Sequence, residues 1–131
     1  MKRTRWLVKL LILLALPITA GCAAAVVAGG AAVGAGSAAF LSGQLESEEG
    51  VSFGVAWKAT QKAAEDLGYT ITSKENGDFW GELIARDSNG KKLTVKLRSP
   101  KEGRTTIKIR VGFFGDEASS RRVLDEIRKR Y

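Results

Sequence analysis

The sequence predicts an α+β fold, a two-layer sandwich in which two helices cover one face of a single antiparallel sheet. Two observations lead to this prediction. Two segments place apolar residues at three- and four-residue spacing, which is typical of helices with one buried face. Between them lie four segments in which apolar and polar residues alternate, which is typical of strands with one dry and one wet face.

The first helix is expected over residues 53–67. Ser52 precedes it as an N-cap, and Gly68 follows it as the left-handed residue that commonly ends a helix. Its buried face should carry the apolar and small residues that recur at helical spacing, namely Phe53, Ala56, Trp57, Thr60, Ala63, Ala64 and Leu67.

Four strands are expected over residues 69–74, 78–87, 92–98 and 104–113. Their connections are short, so consecutive strands should pair as antiparallel hairpins in a meander. The acidic segment Gln44–Glu49 could add a fifth strand at an edge, giving the order (β)αββββα. The alternation assigns twelve side chains to the dry face: Tyr69, Ile71, Phe79, Leu83, Ala85, Leu93, Val95, Leu97, Ile107, Ile109, Val111 and Phe113.

Matching the dry faces of neighbouring strands also predicts the turns. A two-residue turn before Gly90 would set the inward face of one strand against the outward face of the next. A three-residue loop that ends in a left-handed Gly90 instead pairs Leu83 with Val95.

The same loop is expected at Gly77, where it would pair Ile71 with Gly81. Across the last hairpin, a five-residue loop sets Lys96 against Thr106. These registers determine which side chains meet on the wet face.

The second helix is expected from Asp116 to about Arg130. Acidic residues in its first turn and basic residues in its last turn suit the helix dipole. Its buried face should carry Ser120, Val123, Leu124, Ile127 and Tyr131. Because both helices and the sheet each have one apolar face, both helices should pack on the dry face of the sheet.

The first 21 residues have the form of a bacterial secretion signal. Basic residues precede a short apolar segment, small residues follow, and the single cysteine, Cys22, comes directly after Gly21. A cysteine in this place resembles the lipobox of bacterial lipoproteins, in which the thiol is acylated and the signal is removed before it. Lys9 interrupts the apolar segment, and the remainder is too short to span about 30 Å of hydrocarbon.

The chain therefore divides into a signal peptide (1–21), an acylated Cys22 with an uncharged Ala/Gly-rich tract (22–43), and a small α+β domain (44–131). The tract has two interpretations. It is a flexible tether, or it is a membrane-associated helix whose small residues four apart allow close packing. Ala23 after the cysteine, where Asp would retain such a protein at the inner membrane, favours the outer membrane facing the periplasm, by resemblance to proteobacterial lipoproteins.

Composition excludes several function classes. The net charge of +7 falls to about +3 without the four basic residues of the signal, so no nucleic-acid partner is expected. The chain has no histidine, and Cys22 is its one thiol, which rules out Ser-His and Cys-His pairs and removes the favoured zinc ligands. We expect no cofactor, no metal and no enzymatic activity.

The wet face of the sheet is the candidate binding site. The predicted register sets Glu82 opposite Lys96 and Trp80 opposite Arg98, and the second pair is a candidate cation–π contact. This face is either a solvated surface with spaced charges or a surface for an anionic partner, such as an envelope protein, an anionic lipid or peptidoglycan. The candidate residues are Trp80, Arg86, Lys92, Lys96, Arg98, Lys108 and Arg110.

A distinctive segment spans residues 109–119, with the sequence Ile-Arg-Val-Gly-Phe-Phe-Gly-Asp-Glu-Ala-Ser. Together with Cys22 and its tract, Trp57, and residues 66–69 and 89–92, it resembles the small bacterial lipoproteins of domain-of-unknown-function family 3568. The resemblance implies a lipoprotein with a small α/β domain. It implies no activity, cofactor or catalytic residue.

The expected function is that of a membrane-anchored envelope lipoprotein with a non-enzymatic binding or assembly-support domain. An alternative is a glycine-rich membrane-inserting or self-associating protein, in which residues 23–40 are the active part. A carboxylate-dependent hydrolase is the third hypothesis, although no two acidic residues form a recognisable catalytic pair in the sequence.

Overall fold

A six-stranded antiparallel sheet and two helices make up the computed structural model, which describes residues 37–131. The predicted signal, Cys22 and most of the Ala/Gly tract lie outside the described residues. The α+β class and the two helices are as predicted. The elements are β1 (Ala38–Leu41), β2 (Gln44–Glu49), α1 (Phe53–Asp66), β3 (Thr70–Asn76), β4 (Trp80–Arg86), β5 (Lys92–Lys101), β6 (Arg104–Val111) and α2 (Glu117–Arg128).

The sheet has more strands than the four or five expected, in the order β1-β2-β6-β5-β4-β3. The prediction of an edge position for β2 is wrong, because β2 lies between β1 and β6, with Leu45 opposite Ile109. The outer edge is formed by β1, which comes from the end of the Ala/Gly tract. The sheet therefore begins inside the segment that the sequence assigned to residues 22–43.

The core lies between the sheet and the helices. Most of the predicted dry face of β4, β5 and β6 is buried, namely Leu83, Ala85, Leu93, Val95, Leu97, Ile107, Ile109 and Val111. Two predictions for this face are wrong, because Phe79 is 66% exposed and Phe113 is 85% exposed. Both lie beyond the ends of their strands, in turns where strand alternation no longer applies.

The β4–β5 hairpin has the predicted register and loop. Leu83 lies opposite Val95, and Gly90 ends a three-residue loop with a φ of 78°. A side chain at that φ would be strained, which explains the glycine.

The β3–β4 hairpin differs from the prediction. The backbone N–H of Gly77 donates to the carbonyl of Trp80 at 2.9 Å, so the turn lies at Asp78 and Phe79, beyond the expected loop that ended at Gly77. Ile71 consequently lies opposite Ala85 rather than Gly81, and a bulge follows Ile71. The glycine is needed here for space rather than for a left-handed φ, because a β-carbon at Gly77 would overlap the indole ring of Trp80.

Helix α1 packs on a glycine of β4. The ring of Trp57 lies so close to Gly81 that a β-carbon there would overlap it, and Phe53 stacks on the same ring at 6.0 Å. Gly68 follows the helix with a φ of 84°, as predicted. Ser52 occupies the N-cap position, but its side chain makes no capping hydrogen bond.

Helix α2 begins at a capping carboxylate. Asp116 accepts a hydrogen bond from the backbone N–H of Ser119 at 3.0 Å and another from Lys91 Nζ at 3.1 Å. These bonds favour the ionised form and lower the pKa of Asp116 to about 2. The predicted inner face of α2 is confirmed, with Ser120, Val123, Leu124 and Ile127 buried and Tyr131 partly buried.

The end of β2 is joined to the end of α2 by a buried ion pair. The side chain of Glu49 is fully buried, and the Arg128 guanidinium donates to it, with 2.9 Å between Nη2 and Oε1. The hydroxyl of Ser47 donates to the same carboxylate and accepts from Arg128 at 3.1 Å. Tyr131 is partly buried nearby, and burial, together with the charge of Glu49, raises its pKa well above the usual range.

We predict that Glu49→Gln lowers the free energy of unfolding by about 3–5 kcal/mol, because it leaves the partly buried Arg128 without its carboxylate. Urea denaturation followed by circular dichroism measures the loss. Glu48→Gln is the matched control, since Glu48 lies on the same strand but is exposed, with Arg104 at 3.7 Å. The control should lose less than about 1 kcal/mol, and equal losses in the two variants would contradict the role of the buried pair.

Gly81→Ala should destabilise the protein by about 1–3 kcal/mol, because the added methyl group overlaps the buried ring of Trp57. The control is Gly54→Ala near the start of α1, where a β-carbon meets open space. That exchange should leave stability unchanged or raise it by up to about 1 kcal/mol, since alanine favours helix. Thermal denaturation of both variants measures these changes in stability. A Gly81→Ala protein as stable as the parent would contradict the close packing of Trp57 on Gly81.

Candidate functional site

The outer, wet face of the sheet contains an open groove with a volume of about 630 Å³. It lies at the start of β4, beside the C-terminal part of β5 and the N-terminal part of β6. The structure brings four of the predicted candidate residues together here, namely Trp80, Lys96, Arg98 and Lys108. The remaining lining residues are Glu46, Phe79, Ser99, Pro100 and Thr106.

A bulge in β5 shapes this end of the groove. The pairing of β5 with β6 is irregular between Arg98 and Lys101, and the turn after Lys101 is tight, since Lys101 pairs with Arg104. Within the bulge, the hydroxyl of Ser99 donates to the carbonyl of Arg104 at 2.8 Å. The backbone N–H of Ser99 donates to the carbonyl of Phe79 at 2.9 Å, which joins the bulge to the β3–β4 turn.

This bulge also overturns the predicted pairing of β5 with β6. Lys96 lies opposite Lys108, not opposite Thr106, and Thr106 instead faces Arg98. Residues 99–103 were expected to form a five-residue loop. Instead, β5 continues to Lys101 and a short turn leads to Arg104, which shifts the register by two residues. A shift of two keeps each side chain on its predicted face but changes its partner.

The two facing lysines are each compensated by a carboxylate on the next strand. Lys108 Nζ lies 3.2 Å from Glu46 on β2, and Lys96 Nζ lies 3.6 Å from Glu82 on β4. Like charges directly opposite one another are destabilising, and the flanking acids offset this repulsion. All four side chains are substantially exposed, so these ion pairs contribute little to stability.

Arg98 differs from the two lysines. It lies opposite Trp80, as predicted, but the two side chains make no cation–π contact within the described residues. The Trp80 ring lies over Gly77 instead and is 47% exposed. Across residues 37–131, Arg98 has neither an ion pair nor a side-chain hydrogen bond, so its guanidinium faces the groove beside an aromatic wall.

The other predicted residues lie further along the same face. Lys92 and Arg110 border a second depression of about 260 Å³, which Lys96 and Lys108 also line. Arg110 Nη2 donates to the carbonyl of Ser42 at 3.0 Å, so it also holds the β1–β2 turn.

Arg86 is the predicted candidate that borders neither depression. Its Nη1 donates to the carbonyl of Gly90 at 2.9 Å and thereby holds the β4–β5 loop. The other five residues of the groove were not among the predicted candidates. Phe79 was assigned to the dry face, and Ser99 and Pro100 were assigned to a loop. Glu46 belongs to a strand whose neighbour was unknown, and Thr106 was placed on the wet face only as the partner of Lys96.

The groove can bind an anion beside an apolar or flat group. The guanidinium group of an arginine can donate two parallel hydrogen bonds to carboxylate or phosphate oxygens, and the exposed aromatic rings supply apolar contact. Within residues 37–131, no three acidic, histidine or cysteine side chains form a cluster that could hold a metal ion. No helix in this part of the chain is long and apolar enough to cross a membrane.

Comparison with known families identifies the chain. The model of the family described as "Protein of unknown function (DUF3568)" matches residues 6–130. Because the match covers nearly the whole sequence, the chain belongs to this family, as the resemblance of residues 109–119 predicted. A search of curated proteins found no match.

Proposed function

We propose that this member of the DUF3568 family is a membrane-anchored lipoprotein of the bacterial envelope whose domain binds an anionic envelope component without catalysing a reaction. One observation carries the proposal. Arg98 is a cation without a partner in the described part of the chain, and it lies beside the exposed rings of Trp80 and Phe79 in a groove of about 630 Å³.

The groove has the composition of a ligand site. Such sites commonly enclose about 300–1,000 Å³, with apolar walls and a few placed polar groups. The lysines of this groove are already matched by Glu46 and Glu82, so Arg98 supplies the uncompensated charge. The ligand is therefore a molecule with one carboxylate or phosphate next to an apolar or flat portion. An acidic envelope protein, an anionic lipid and peptidoglycan all carry such groups.

The sequence supports the anchor. Cys22 directly follows the signal-like segment 1–21, and it lies within the residues that the family model matches. Acylation of Cys22 would hold the domain at a membrane, and Ala23 after it favours the outer membrane facing the periplasm.

Photo-crosslinking in living cells tests the groove. With a photoreactive amino acid in place of Phe79, on the rim, we expect a specific adduct that mass spectrometry can identify. Arg98→Glu should lower the adduct yield about tenfold or more, because a hydrogen bond between charged groups contributes about 1.5–3 kcal/mol. Lys58→Glu makes the same charge change on the exposed side of α1 and should leave the yield unchanged.

Two results would contradict the binding function of the groove. One is the same adduct from a photoreactive residue placed at Lys58. The other is an adduct at Phe79 that survives both Arg98→Glu and Trp80→Ser in protein that remains folded.

The anchor has its own test. Cells fed radiolabelled palmitate should incorporate label into the parent protein and none into Cys22→Ser, since serine lacks the acylated thiol. Membrane fractionation of the same cells should show the substituted protein leaving the outer-membrane fraction. Label that persists in Cys22→Ser would refute lipidation at this residue.

A further inference from the structure

Two adjacent phenylalanines project from the loop between β6 and α2, which we call the aromatic loop (residues 112–115). Phe113 is 85% exposed and Phe114 is 88% exposed, and their rings pack edge to face at 4.9 Å. These are the most exposed large apolar side chains of the described residues. Exposed apolar groups of this size mark an interaction site.

The backbone holds the rings outward. Gly112 and Gly115 have φ values of 76° and 83°, which side chains rarely adopt. Gly115 also packs directly on the backbone of Gly43 in the β1–β2 turn, so closely that a β-carbon would overlap it. The N–H of Asp116 donates to the carbonyl of Val111 at 2.9 Å and closes the loop. The exposure of the rings is therefore built into the fold.

Apolar and basic residues lie around the loop, and two acidic residues, Asp116 and Glu117, follow it directly. Glu117 is matched by Arg121, with 2.8 Å between Oε1 and Nη2. Leu41, in the adjoining β1–β2 hairpin, is 65% exposed. The N–H of Gly112 donates to the carbonyl of Lys92 at 2.8 Å, which sets that lysine beside the loop. Lys91 is paired with Asp116, whereas Lys92 and Arg110 have no carboxylate partner within residues 37–131.

We propose that the aromatic loop docks the domain on a lipid bilayer with anionic headgroups. The rings of Phe113 and Phe114 enter the interface, and Lys92 and Arg110 face the lipid phosphates. A bilayer is favoured over a protein pocket because the loop is a projecting tip with cations around it. Interfaces accept aromatic side chains at headgroup level, and anionic headgroups attract nearby cations. None of these four residues lines the groove, although Lys92 and Arg110 border the depression next to it, so either proposal can fail without the other.

Depth-dependent quenching tests this orientation. Cys22→Ser is introduced into the full chain so that a second exchange, Leu41→Cys, supplies its one thiol. An environment-sensitive fluorophore is attached to that thiol. The labelled chain is reconstituted into phosphatidylcholine vesicles that contain phosphatidylglycerol and lipids with a nitroxide near the headgroup. We expect quenching of this label. The same label at Glu102→Cys, in the exposed turn between β5 and β6 at the opposite end of β6, should remain unquenched.

The rings themselves are tested by combining Phe113→Ser with Phe114→Ser in the chain labelled at residue 41. The ratio of docked to undocked protein should fall about tenfold or more, since each ring loses its apolar burial. The melting temperature should not change, because both rings are exposed. Vesicles of phosphatidylcholine alone should show weaker docking than those with phosphatidylglycerol.

Any of four results would overturn the proposal. The label at residue 41 is quenched no more than the label at residue 102. The double serine variant is quenched as strongly as its parent. Docking is equal on both vesicle types. Sedimentation in detergent shows that the double serine exchange converts a dimer into a monomer, which would make the rings a contact between two copies of this chain.

Discussion

The fold depends on one buried contact between charged residues, Glu49 of β2 and Arg128 of α2. Burying a charge without its partner costs several kcal/mol, so β2 and the last turn of α2 are confined to positions where the two meet. This requirement selects the inward face of β2, with Leu45 and Glu49 buried. A one-residue slip would turn that face outward. With that face inward, β2 pairs with β6 so that Glu46 lies opposite Lys108 on the outer face.

The charges of the outer face follow from that placement. Lys96 and Lys108 face each other at the middle of the sheet, an arrangement that a strand pair alone would disfavour. It is tolerated because Glu46 on one side and Glu82 on the other supply carboxylates. Arg98, one row further along, has threonine and tryptophan as its cross-strand neighbours. Among residues 37–131, Arg98 is thus the one cation of the groove that no carboxylate matches, which suits a ligand with one anionic group.

Features that depend on local sequence could be predicted, whereas features that depend on distant pairing could not. Helical spacing and short turns were enough for both helices and for the β4–β5 hairpin. The position of β2 was not predictable, because its partner β6 lies far along the chain. The outer-face positions of Trp80, Lys96, Arg98 and Lys108 were predictable, since a two-residue shift preserves the face. Their grouping in one groove was not, because it depends on the bulge after Arg98 and on Glu46.

Strand β6 connects the groove to the aromatic loop and so sets the distance between them. At about 3.3 Å per residue, the groove residues Thr106 and Lys108 lie about 17 Å and about 10 Å along β6 from Val111, where the strand ends. With the loop on a bilayer, Arg98, which pairs with Thr106, would lie farther from the headgroups than Lys92 and Arg110. In the proposed docked arrangement, Arg98 is therefore better placed for peptidoglycan or an acidic protein than for a lipid of the same bilayer.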